Sequence, residues 1–76
     1  MTRRTVFTLE AFSRRHGALE RVLQALFRSE TQARAWSDRV RPRVGGLVLY
    51  SEKVDPEFDV RDDREVLVRV GDVPPP

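Results

Sequence analysis

The stretch ALERVLQALFRSETQ, residues 18–32, decides the fold. Leu19, Val22, Leu23 and Leu26 recur at i, i+3, i+4 and i+7, the apolar stripe of a helix, whereas Leu23, Ala25 and Phe27 alternate as a strand does. The last four residues favour the strand. Ser29-Glu30-Thr31-Gln32 has the spacing of a capping box, serine at the N-cap and glutamine three residues on, so a helix begins at Ser29 and needs something non-helical before it. A strand ending at Phe27 or Arg28 supplies that and pairs back on the segment before it as a hairpin. The alternative is two consecutive helices broken at Ser29.

Upstream, Thr5 to Phe12 alternates, with Phe7, Leu9 and Ala11 on one side and Val6, Thr8, Glu10 and Phe12 on the other. Period two with β-branched and aromatic residues reads as a strand, and we expect Val22 to Phe27 to pair with it. Ser13-Arg14-Arg15-His16-Gly17 reads as the turn between them, Gly17 supplying positive φ. Downstream, Glu30 to about Val40 reads as helix. Ala33, Trp36 and Val40 share its apolar face and Trp36 is expected in the core, while Glu30, Arg34 and Asp38 form opposite-sign pairs at i,i+4. Pro42 ends it, since residues before proline avoid the α region.

Leu47-Val48-Leu49-Tyr50, opened by Gly45-Gly46, is a short continuous apolar run that reads as a central strand buried on both faces. Asp55 to Asp63 reads as an acidic loop holding Pro56. Glu65 to Val70 alternates, Val66, Val68 and Val70 against Leu67 and Arg69, and forms a last strand closed by Gly71-Asp72.

The expected fold is therefore α+β, in the order ββαββ: one antiparallel four-stranded sheet with one helix on one face. Residues 1–73 make a single domain and 74–76 an extended proline tail. A helical 18–28 would make the order βααββ. Phe7, Leu9, Leu47, Leu49 and the three valines then pack under Ala33, Trp36 and Val40. Val6, Phe12, Val48, Tyr50 and Leu67 are left for the other face, and an apolar second face asks for a partner.

Phe27-Arg28-Ser29 before an alanine-spaced helix, Gly46-Leu47-Val48-Leu49-Tyr50, Asp55-Pro56-Glu57 and the run from Glu65 to Pro74 together resemble a group of short uncharacterised bacterial proteins. The resemblance covers most of the chain. It implies the ββαββ order and brings no activity and no site residues.

Composition narrows the function classes. A chain of 76 residues buries only about 60% of the surface it exposes when unfolded, and small domains often gain stability by associating. No cysteine is present, which excludes disulfides and thiolate zinc sites and agrees with a reducing compartment. No apolar run approaches the about 20 residues of a membrane span. Met1-Thr2-Arg3-Arg4 is not followed by an apolar segment of signal-peptide length, so a cytoplasmic location is expected. The net charge is +2, but residues 1–43 carry ten arginines against four acidic residues and residues 44–76 four basic against eight acidic. The chain also lacks isoleucine and asparagine, so GC-rich codon usage accounts for much of the arginine excess.

No catalytic set can be assembled. His16, the only histidine, sits in the expected turn near Ser13 with no carboxylate to orient it. Asp55, Glu57 and Asp59 stand at alternate positions as in a calcium loop, but Val60 occupies the position that needs glycine and Val66 the one that needs glutamate. We therefore expect no enzyme, no metal and no cofactor. The expected function is a protein-interaction module, a homo-oligomer or a small subunit of an assembly, with Val6, Phe12, Val48, Tyr50 and Leu67 at the contact. The alternative is a nucleic-acid binder in which Arg14 and Arg15, near Phe12, act with Arg41 and Arg43.

Overall fold

Ser29 resolves the ambiguous stretch. In a computed structural model describing residues 4–55, 57 and 60–75, its backbone is extended (φ −118°, ψ 129°) and its Oγ accepts from the Gln32 N–H at 3.3 Å. The segment before it is a strand, and the chain runs β1 (Arg4–Arg15), β2 (Ala18–Phe27), α1 (Glu30–Val40), a 3-10 turn (Arg41–Arg43), β3 (Gly46–Asp55) and β4 (Val60–Gly71). This is the ββαββ order, with one helix and one antiparallel sheet in the spatial order β2-β1-β3-β4. β2 and β3 are both antiparallel to β1, so they run parallel to each other with β1 between them. The helix carries the chain across that gap.

The strands are longer than the alternating segments alone indicate. The expected turn at residues 13–17 contracts to His16 (φ 54°) and Gly17 (φ 81°), both left-handed, as a two-residue hairpin with matching twist requires. The expected acidic loop is likewise mostly strand: β3 continues to Asp55 and β4 starts at Val60. Asp59 of the calcium-like spacing lies outside the described residues, as do Met1 to Arg3 and Pro76.

Leu9, Ala11, Leu47 and Leu49 from the two central strands are fully buried and pack with Ala33 under the helix. The helix presents Ala33, Ser37 and the half-buried Val40 to the sheet. Trp36 is not in the core: it is 45% exposed, at the rim, its ring 6.5 Å from that of Phe27. The reason is clearance. Ala33 and Ser37 are small enough to let the helix lie close to the sheet, and the Ser37 hydroxyl is satisfied by the Ala33 carbonyl at 2.9 Å.

Both edge strands carry a bulge, and each places two successive residues over the helix-side core. Ala11 pairs with Leu23 and Phe12 with Arg21, so Val22 is the extra residue. Leu49 pairs with Val68 and Tyr50 with Val66, so Leu67 is the extra residue. Val22 with Leu23, and Leu67 with Val68, all pack against the core. The second bulge corrects the expected faces: Leu67 belongs with the helix, and Val66 lies on the opposite face beside Tyr50.

Candidate functional site: the face without a helix

The register places Leu26, Thr8, Tyr50 and Val66 in one row across all four strands, on the face opposite the helix. Thr8 and Tyr50, on the central strands, are buried; Leu26 and Val66, on the edges, are 54% and 51% exposed. Beside this row lie Val6 with Glu52, and Glu10 with Val48 and Arg69.

Of the residues expected at this contact, Phe12, Val48 and Tyr50 line one groove on this face, Val6 lies on the same face at the other end of β1, and Leu67 lies on the opposite face. It also closes part of the patch with the chain itself. Phe12 is 8% and Tyr50 5% exposed. The Arg64 guanidinium lies 4.2 Å from the centre of the Tyr50 ring, a cation–π distance. The Arg69 guanidinium donates to the Pro74 carbonyl at 2.7 Å, and Pro74 and Pro75 wall a groove of about 300 Å³ with Phe12, Val48 and Tyr50. Pro74 and Pro75 therefore lie against the sheet instead of trailing from it. Among the described residues, Leu26 and Val66 are the large apolar side chains left open here. Leu26 follows from pairing with Thr8, whereas Val66 needed the bulge.

Polar groups crowd the same face. Arg21 Nη1 reaches Glu10 Oε2 at 2.8 Å. Burial pushes the Tyr50 phenol above its ordinary range; the Glu10 carboxylate acts the same way, as a charge and as a hydrogen-bond partner, and Arg64 opposes it. Glu52 is 4% exposed, with Arg64 at 3.6 Å and Arg61 at 3.9 Å. Those are ion-pair distances, and among the described residues Glu52 Oε1 makes no hydrogen bond and the fully buried Thr8 hydroxyl has no partner.

The arginines of the alternative reading divide. Arg14 is engaged by Asp72 at 2.7 Å and also donates to the Gly17 carbonyl. Arg15 lies 3.9 Å from Glu20. Arg41 and Arg43 have no carboxylate within ion-pair distance among the described residues, and line different clefts on the helix surface. Gly45 N–H bonds to the Phe12 carbonyl at 2.9 Å and to Ser13 Oγ at 3.2 Å, which brings the chain just beyond Arg43 to the end of the sheet where Arg14 lies. His16 is exposed at the hairpin tip. Among the described residues no three carboxylate or imidazole groups gather where they could hold a metal ion.

No protein-family model matches the chain, and no functionally described protein or solved structure is significantly similar to it.

Proposed function

We propose that this protein is a non-enzymatic interaction module that self-associates through the face without a helix. The observation that carries this is the Leu26–Thr8–Tyr50–Val66 row, apolar at both ends and more than half exposed at each. The occupant is a second copy because the face carries its own charge balance. Glu10 is paired with Arg21, and the buried Glu52 with Arg64 and Arg61, within one chain, so the face asks for no partner of opposite charge and two copies can close on it about a two-fold axis. Its size fits: four strands about 4.8 Å apart and about ten residues long give a face on the order of 600 Å² before side-chain relief. A standard interface takes about 800 Å² from each partner.

Sedimentation velocity over a concentration series tests the proposal. The expected result is a monomer–dimer equilibrium in the micromolar range, moved to monomer by Leu26→Asp or Val66→Asp with the melting temperature nearly unchanged. Both side chains are exposed, so both variants should fold. Tyr50→Asp is a poor test, since Tyr50 is buried within one chain and the added charge would destabilise the monomer itself. A wild-type protein that stays monomeric at tens of micromolar rejects the proposal.

A further inference from the structure

Trp36 is the only tryptophan in the chain and, against the expectation of its helix position, stands at the rim of the core. Its two flanks are depressions. One, of about 460 Å³, is lined by Trp36, Arg39, Val40 and Arg43; the other, of about 200 Å³, by Gln32, Ala35, Trp36 and Arg39. The larger lies within the roughly 300–1,000 Å³ of small-molecule sites. Among the described residues no carboxylate lines either. Asp38, the nearest acidic residue in sequence, lines the cleft with Arg34 and Arg41 instead.

The Arg39 guanidinium lies 5.7 Å from the centre of the Trp36 ring, within cation–π range, and Phe27 supports the ring. Neither Arg39 nor Arg43 has a carboxylate within ion-pair distance among the described residues. The helix C-terminus is the negative end of its dipole, but that is about half a charge against two whole guanidinium charges.

An exposed indole flanked by unneutralised guanidiniums fits a ligand that couples a planar ring to a phosphate, the chemistry of a nucleotide. We propose that this cleft binds single-stranded nucleic acid, one base stacking on Trp36 in place of the Arg39 guanidinium, which moves off the ring and with Arg43 holds the phosphates on either side of the base. Two adjoining depressions sharing Trp36 and Arg39 suit successive nucleotides of a strand better than a free mononucleotide. The site lies on the helix side of the sheet, so it stands or falls independently of self-association through the other face. It takes Arg43 from the sequence-based set and replaces Arg14, which Asp72 occupies.

The lone indole makes the test direct. Titrating the full chain with an oligothymidylate octamer should quench Trp36 emission saturably. The affinity should fall with about the 1.4 power of salt concentration, two phosphates at about 0.7 each for a single strand. Arg39→Gln and Arg43→Gln should each remove about 0.7 from that slope. Trp36→Ala, followed by anisotropy of an end-labelled octamer, should weaken binding about fivefold or more, the low end of one stacked base, and Trp36→Phe should restore most of it. Thermal melts of each variant confirm the fold, and Arg14→Gln should change nothing. Three results overturn the proposal: no change in Trp36 emission, equal binding of inorganic polyphosphate, or thymidine monophosphate binding as tightly as the octamer.

Discussion

Thr8 occupies the middle of a central strand, fully buried, with a hydroxyl that has no hydrogen-bond partner among the described residues. A buried hydroxyl without a partner costs about 1–3 kcal/mol, and valine has nearly its shape with better strand preference. Thr8→Val should therefore raise stability by about 1 kcal/mol, or roughly 4–8 °C in a domain of this size. Urea and thermal unfolding measure it; a loss of stability would mean that the hydroxyl is satisfied, by an internal water for instance. Tyr50 gives a pH-dependent counterpart. Burial, then Glu10, raises its phenol pKa on folding above the unfolded value of about 10, so the folded state holds that proton more tightly. The stability this confers is complete below about pH 10 and is lost as pH rises through the folded value. Urea midpoints from pH 8 to 11 should fall more steeply for the wild type than for Tyr50→Phe; parallel curves would show that Tyr50 does not titrate within the fold.

Among the elements, the helix start depends on one side chain. Ser29→Ala removes the acceptor for the Gln32 N–H and should cost about 1 kcal/mol, while Ser29→Asp keeps an acceptor and adds a favourable charge at the helix N-terminus. Equal unfolding midpoints for the two variants would show that the cap contributes nothing. The same serine shows how far the order of elements could be read locally. The capping spacing, the alternation of residues 5–12 and the Leu47–Tyr50 run each carry their own signal, and together they yield ββαββ. The bulges carry none: Leu67 and Val66 exchange faces because β4 must follow the twist of β3, a property of the pair. The burial of Phe12 and Tyr50 has no local signal either, since Arg64 and Pro74–Pro75 cover them from distant parts of the chain. Trp36 leaves the core for a related reason: Ala33, Trp36 and Val40 fit a helical stripe, but close approach to the sheet selects Ala33 and Ser37.

For the whole molecule, shape is the governing fact. The radius of gyration is 13.2 Å, against about 11.4 Å for a compact chain of this length, and the extents are 45 × 23 × 15 Å. An 11-residue helix cannot cover a sheet that long on one side, and it covers none of the other. The chain's own cover on the helix-free face leaves the two edge positions, Leu26 and Val66, open to solvent. Burying them against a second copy removes apolar surface at about 25 cal/mol per Å², though the loss of freedom on association offsets much of that gain. The most direct measurement is an isotope-filtered NOE experiment on a mixture of labelled and unlabelled protein at hundreds of micromolar, which detects only contacts between copies. Self-association through the face without a helix gives intermolecular NOEs from the methyl groups of Leu26, Val66, Val6 and Val48, lost together in Leu26→Asp. Contacts confined to the helix and Trp36, or no intermolecular NOE at all, would contradict it.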